Sequence, residues 1–241
     1  MKDNIYADKK SKVTRFEFDS NVAGVFADMI SRSIPGYQEI INLTGSLAAM
    51  HAKVNSNIYD LGCSLGASSM AIRSHTAKKH VKLIAVDSSP AMLQACKKNL
   101  AAQKSPIAFE LVLADIANIE IKKASVVVMN FTLQFIPPRR RLKVLRKIYS
   151  GLKSGGVLIV SEKTIEKSAN LQKRLETWYA EFKKANGYSK LEIAQKREAL
   201  ENVLISETEQ THTRRFKNAG FKYVQKWFQA YSFKSFIAFK D

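Results

Sequence analysis

The chain has 241 residues, 46% of them apolar and 25% charged, a globular composition long enough for one large domain and its core. No apolar run nears the roughly 20 residues of a membrane span. The stretch "MKDNIYADKKSKVTRFEFD" lacks an apolar signal region, and Cys63 and Cys96 form neither a metal-ligand spacing nor a disulfide framework. The expectation is a soluble, cytoplasmic protein with no metal and no membrane partner. Its 39 Lys+Arg against 21 Asp+Glu give a net charge of +18, a field that attracts polyanions. The basic residues nevertheless spread along the whole chain. Local clusters at Lys78-Lys79, Lys97-Lys98, Arg139 to Arg141 and Arg214-Arg215 have no aromatic-and-basic nucleic-acid module beside them.

Some 55 residues precede the first strand. Phe26, Met29 and Ile30 mark one apolar helix face, which Pro35-Gly36 breaks, placing Tyr37 at a turn. This segment is expected to be a lid over a ligand crevice. From about residue 56, short β-branched runs alternate with helical patterns, the mark of a parallel α/β sheet. "NIYDLG" reads as the first strand and "SSMAIRSHTA" as the helix after it. "VKLIAVD" is the second strand, with Ser88 or Ser89 as N-cap and Pro90 in the first turn of "PAMLQACKKNLAAQ". "FELVLAD" is the third strand, and "ASVVVMNFTLQF" the fourth, continuous in its apolar run as a doubly covered strand should be.

In "RRRLKVLRKIYSGLK", Leu142, Leu145, Ile148 and Leu152 recur at helical spacing. Gly155 and Gly156 are expected to cap that helix, ahead of a fifth strand in "VLIVSEK". The rhythm then breaks. Thr164 to Thr211 is polar and helix-prone, too long for an ordinary crossover and interrupted at Asn186 to Ser189, so it reads as a helical insert. A helix to Ala219 follows, and "GFKYVQKWFQAY" and "FKSFIAFK" then suggest an antiparallel hairpin.

The chemistry gathers at strand ends. In an open parallel sheet, ligands bind beyond the carboxyl ends, where the strand order reverses. Asp60 and Gly62 lie at the end of the first strand, in "DLGCSLG". The glycine spacing is D-x-G-x-x-x-G rather than G-x-G-x-x-G, and no phosphate-binding lysine accompanies it. That argues against NAD and ATP and for a cofactor without phosphate to neutralise. Asp87 ends the second strand, where a carboxylate can accept both hydroxyls of a ribose. Asp115 ends the third, within reach of an adenine amino group. His51, His75, His80 and His212 are scattered, and no His/Asp or Cys/His arrangement for catalysis emerges.

"DLGCSLG", "AVDSSPAML", "LADI" and "NFTLQFIPP…LKSGG" resemble the successive motifs of Rossmann-like S-adenosylmethionine (SAM) methyltransferases, with Ser64 in place of the usual middle glycine. "FDSNVAGVFADMISRSIPGYQEI", "YDLGCSLGASS", "FKKANGYSKLEIAQKREALENV" and "WFQAYSFKSFIAFK" are similar to the carboxy-SAM synthase family, over nearly the whole chain. The resemblance implies a Rossmann-like class I SAM methyltransferase fold, with a mostly parallel seven-stranded sheet and a C-terminal antiparallel strand. It divides a single α/β domain, 1–241, into an N-terminal helical lid (1–55), a SAM-binding core (56–163), a helical insert (164–211) and C-terminal strands (212–241).

By the same resemblance, SAM and prephenate are the substrates, and carboxy-SAM and phenylpyruvate the products. A homodimer is implied, and tRNA is modified indirectly at its wobble uridine, through a downstream carboxymethyl transferase. The family's SAM contacts fall on Tyr37, Gly62, Cys63, Ser64, Asp87, Ser88, Asp115, Ile116 and Asn130. Arg197 takes the added carboxylate, as a guanidinium's two parallel donors suit. Read without the resemblance, Arg197 is an exposed helix arginine pairing with Glu201 at i+4. Two rival functions remain at this point: a SAM-dependent tRNA methyltransferase, and a non-catalytic basic RNA-binding protein on a vestigial SAM fold.

Overall fold

The computed structural model describes residues 1–241. Helix α1 (Ser20–Ser33) starts where the Asp19 carboxylate accepts the Val22 N–H and ends before Pro35-Gly36. Gly36, at φ +71°, turns the chain into α2 (Tyr37–His51), a backbone conformation that costs glycine nothing. The sheet then builds from β1 (Ser56–Leu61), α3 (Ala67–His75), β2 (Val81–Asp87), α4 (Pro90–Ala102), β3 (Ala108–Leu113), β4 (Ala124–Asn130), α5 (Pro138–Gly151) and β5 (Leu152–Ile165). Helices α6 (Ala169–Ala185) and α7 (Lys190–Leu200) form the insert. The two-residue β6 (Glu207–Thr208), α8 (Glu209–Ala219), β7 (Tyr223–Ala230) and β8 (Phe233–Phe239) close the chain.

The main sheet runs in the order β3-β2-β1-β4-β5-β8-β7, with the short β6 paired to β5 off that path. Strands β1 to β5 pair in parallel, and β8 is antiparallel to both β5 and β7. The seven-stranded, mostly parallel expectation therefore holds, with β6 as an addition. Alternate residues feed opposite faces, as a pleated strand requires. Tyr59, Leu61, Val127 and Met129 join Leu145, Ile148 and Phe216 of α5 and α8 on one side. Ile58, Leu83, Val126 and Val128 join Ala48 of α2 and Ile72 of α3 on the other. Both faces are covered, which accounts for the unbroken apolar run in β4.

Three boundaries differ from the expectations. Strand β4 ends at Asn130, and Leu133–Phe135 is a 3-10 turn rather than strand. The cause is Phe131, which takes φ +57° and leaves the ladder. Helix α5 stops at Gly151, not at Gly155-Gly156: a Cβ on Gly151 would collide with Ile121, and Leu152 already pairs with Ala124 as strand. Gly155 and Gly156 thus lie within β5. The insert is shorter than drawn, because Thr164 and Ile165 pair with Glu207 and Thr208. Of the two proposed caps for α4, Ser89 serves, its hydroxyl accepting the Met92 N–H at 3.2 Å.

The N-terminal residues strap the insert to the core. The Gln195 side-chain amide donates to the Tyr6 and Asp8 carbonyls, and the Lys10 N–H donates to Gln195 Oε1. The Tyr188 hydroxyl donates to Asp3 Oδ2 at 2.7 Å. Phe16 N–H reaches the Ala199 carbonyl, fixing the last turn of α7. No helix is long and apolar enough to cross a membrane.

Candidate active site

The strand order reverses between β1 and β4, so the crevice beyond their carboxyl ends is where a ligand is expected. Asp60, in β1, is 1% exposed, and its Oδ2 accepts the Ser69 hydroxyl at 2.6 Å. Burial pushes its carboxyl up to about 6, helped by the charge of Asp87 and opposed by the Ser69 hydrogen bond. After β1 the chain stays tied to the neighbouring strand: the Gly62 and Cys63 N–H groups both donate to the Val86 carbonyl.

Gly62 (φ +80°), Ser64 (φ +49°) and Gly66 (φ +86°) all take the left-handed conformation. A Cβ on Gly62 would be driven into the Thr132 side chain, and one on Gly66 would meet Cys96 Sγ at 2.8 Å. The spaced glycines are therefore needed by the turn's own packing, besides any ligand. Cys63 is buried in that turn beside Cys96, whose thiol and the burial push the Cys63 thiol up. A thiol held protonated is no nucleophile.

Asp87 closes β2. Its Oδ2 accepts the Ser64 N–H and its Oδ1 the Ser89 N–H, each at 2.9 Å. Burial raises its pKa, against the pull of those backbone donors. Ser88, between them, is exposed. Asn130, at the end of β4, donates to Ser68 Oγ and Thr44 Oγ1 and accepts the Ser161 hydroxyl at 2.8 Å. Its amide is thus tied to α3, α2 and β5 together. Tyr37, first residue of α2, lies with its ring 6.4 Å from that of Phe131. Burial and the nearby Asp60 charge keep its hydroxyl protonated.

Tyr37, Asp60, Gly62, Cys63, Ser64, Asp87 and Asn130 are thereby gathered at the strand reversal. Asp115 and Ile116 lie farther along, two and three residues beyond β3. Asp115 accepts the Ala117 N–H and faces Arg140 at 3.3 Å, half exposed, while the Ile116 carbonyl accepts Lys147 Nζ. Arg197, in the last turn of α7, is exposed. The pairing with Glu201 does not form, because α7 ends at Leu200 and Glu201 is its C-cap, bonded to the Glu198 carbonyl.

Sequence reading missed Glu162. It is fully buried, its Oε1 accepts the Leu133 N–H at 2.9 Å, and its Oε2 has no partner. The neighbouring Thr132 and Gln134 N–H groups also face it. Glu162 thus holds the turn that follows Asn130. The signal was an acidic residue inside the apolar run "VLIVSEK". The histidines stay apart: His212 is buried and stacked on Phe236, while His75 Nδ1 contacts the Ala71 carbonyl of its own helix.

The fold and the crevice define a Rossmann-like methyltransferase domain, and residues 58–156 match the family model described as a methyltransferase domain. A putative S-adenosyl-L-methionine-dependent methyltransferase from Methanococcus maripaludis superposes with a TM-score of 0.61 at 20% identity, over 96% of this chain and 97% of that one. Human N-acetylserotonin methyltransferase in complex with SAM gives a TM-score of 0.61 at 15% identity, over 92% of this chain and 55% of that one. Closer in sequence is the carboxy-S-adenosyl-L-methionine synthase of Shewanella sediminis, 48% identical over 99% of this chain and 98% of its own. That of Hydrogenovibrio crunogenus is 50% identical over 100% of this chain and 95% of its own. The chain belongs to the carboxy-S-adenosyl-L-methionine synthase family.

Proposed function

We propose that this enzyme converts SAM and prephenate to carboxy-SAM and phenylpyruvate. The observation that carries the reading is the extent of the family likeness: the 48% identity is measured over 99% of the chain, a length that takes in the helical insert and Arg197. SAM is the substrate at the strand reversal. Asp87 accepts its ribose hydroxyls, the Gly62–Ser64 turn lies against it, and Tyr37 sits by the sulfonium, a cation that an aromatic ring attracts. Asp60, Ser88, Asp115, Ile116 and Asn130 complete its site.

The chemistry balances without a strong side-chain base. Prephenate, a dianion, loses carbon dioxide and its ring hydroxyl as it aromatises to phenylpyruvate. The departing hydroxide takes a proton from the SAM methyl group, giving water and a sulfonium ylide. The ylide carbon attacks carbon dioxide, forming the C–C bond and the carboxylate of carboxy-SAM, which Arg197 receives. What the protein supplies is alignment and exclusion of water from the ylide. The product serves wobble-uridine modification of tRNA through a separate transferase, and the enzyme acts in the cytoplasm as a homodimer.

The test is mass spectrometry of the protein incubated with SAM, with and without prephenate. The expected result is a prephenate-dependent species heavier than SAM by one carboxyl group, with phenylpyruvate alongside. SAM consumed only when tRNA is added, with its methyl group on the RNA, would overturn the reading in favour of a methyltransferase.

A further inference from the structure

The insert and the end of β5 bring together three cations outside any ion pair. Lys163 lies near the end of β5, Lys183 in the last turn of α6 and Arg197 in the last turn of α7. Lys163 Nζ stands 4.8 Å and Lys183 Nζ 4.3 Å from the centroid of one ring, Tyr179. None of the three makes an ion pair. Lys196, close by, is different: it reaches Asp3 at 3.5 Å and the Ser33 hydroxyl at 3.0 Å.

Lys163 and Lys183 are half-buried and Arg197 is exposed, and like charges so gathered oppose one another. Burial pushes the Lys183 amine down to about 8, and Lys163, Lys196 and Arg197 push the same way. Lys163 is lowered too, by burial first and by Arg197, against the attraction of Glu176. Like charges gathered at a cost in stability are typical of a functional site.

Its position points to the occupant. The Tyr179 ring packs edge-on to Phe233 at 5.2 Å, Phe233 to Phe131 at 6.1 Å, and Phe131 neighbours Tyr37 at 6.4 Å. An aromatic wall therefore runs from the crevice at the end of β1 to the two lysines. A ligand matching both ends carries anionic groups on a flat apolar ring. We propose that Lys163 and Lys183, set against Tyr179, bind the carboxylate of prephenate that survives in phenylpyruvate, leaving the carboxylate to be transferred facing Arg197. This assignment rests on the proposed reaction. It places the ring of prephenate between Tyr37 and Tyr179, the half-buried ends of that aromatic run, whose middle rings Phe131 and Phe233 are buried.

The test uses Lys163→Gln, Lys183→Gln and the corresponding Lys→Arg variants of the full chain. SAM affinity is measured by calorimetry, and steady-state kinetics are followed by phenylpyruvate release. Each Gln variant is expected to raise KM for prephenate about 10- to 100-fold, with SAM affinity within about twofold and most of the loss recovered by Arg. A wild-type enzyme making carboxy-SAM, with both Gln variants retaining its KM for prephenate, overturns the lysine assignment and leaves the reaction standing. A wild type that binds SAM but releases no phenylpyruvate from prephenate overturns the reaction itself, and the assignment with it. Loss of SAM affinity equal to the loss for prephenate, unrescued by Arg, marks the lysines as structural and also overturns the assignment.

Discussion

Asp87 Oδ2 accepts the backbone N–H of Ser64 at 2.9 Å, so the carboxylate at the end of one strand fixes the turn at the end of its neighbour. Its second oxygen accepts the Ser89 N–H at the start of α4. One side chain thereby sets the spacing of the two loops that flank the crevice.

Asp87→Ala is expected to weaken SAM and carboxy-SAM binding alike, because the ribose is common to both. A lost charged hydrogen bond costs about 1.5–3 kcal/mol. Calorimetric titration of both ligands checks this. Unchanged affinity would remove the ribose contact, and unequal weakening would place Asp87 near the carboxylate instead.

Ser64 holds φ +49° with a side chain in place, a conformation costing an L-residue about 1–2 kcal/mol. Ser64→Gly removes that strain but gives the unfolded chain more freedom, worth about 0.5–1 kcal/mol. The expected net is a gain of about 0.5 kcal/mol, read as a rise of about 1–2 °C in Tm. SAM affinity should persist, since the bond to Asp87 uses the backbone. A fall in Tm would show that the contact of the Ser64 hydroxyl with Met92 Sδ, at 3.4 Å, outweighs the strain.

Arg141 belongs to a basic cluster in sequence, yet its side chain is turned wholly inward. It donates to the Ile136 carbonyl at 2.8 Å, to Gln134 at 3.0 Å and to Ile205 at 2.8 Å, and it pairs with Glu207. It thus joins α5 to the turn after β4 and to the exit of the insert. Arg141→Leu leaves carbonyls unpaired and should cost about 3–5 kcal/mol in urea unfolding. A loss below about 1 kcal/mol would mean that Arg215, also paired with Glu207, carries the junction.

Glu162 provides the pH dependence. Burial pushes its carboxyl from 4.5 up to about 8, although Arg141 and the backbone N–H groups of Leu133, Gln134 and Thr132 pull it down. Between those values the folded state keeps a proton that the unfolded chain has released. The contribution of Glu162 to stability is therefore greatest below its unfolded pKa and declines as pH rises towards 8. Glu162→Gln removes this titration. Comparing unfolding at about pH 5 and about pH 8, the wild type should lose on the order of 1–3 kcal/mol more than the variant. Parallel profiles would show that Glu162 is ionised throughout.

The order of strands and helices, the break at Pro35-Gly36, the capped start of α4 and the acids at strand ends were legible in the sequence. They depend on local facts: period-two and period-3.6 patterns, cap chemistry and the φ freedom of glycine. The end of α5 was not, because it is set by Leu152 entering the sheet opposite Ala124, a pairing distant in the chain. Nor could sequence tell Arg141 from Arg139 and Arg140, since charge says nothing of which way a side chain faces once α5 packs. The pair of lysines on Tyr179 was equally out of reach, and of Glu162 only an acid within an apolar run was visible. Burial shifts a titration and crowding unites cations only when β5, α6 and α7 meet. Local patterns along the chain set the class of fold and the strand ends that border the crevice; packing in three dimensions settled which side chains hold it and which cations stay outside any ion pair.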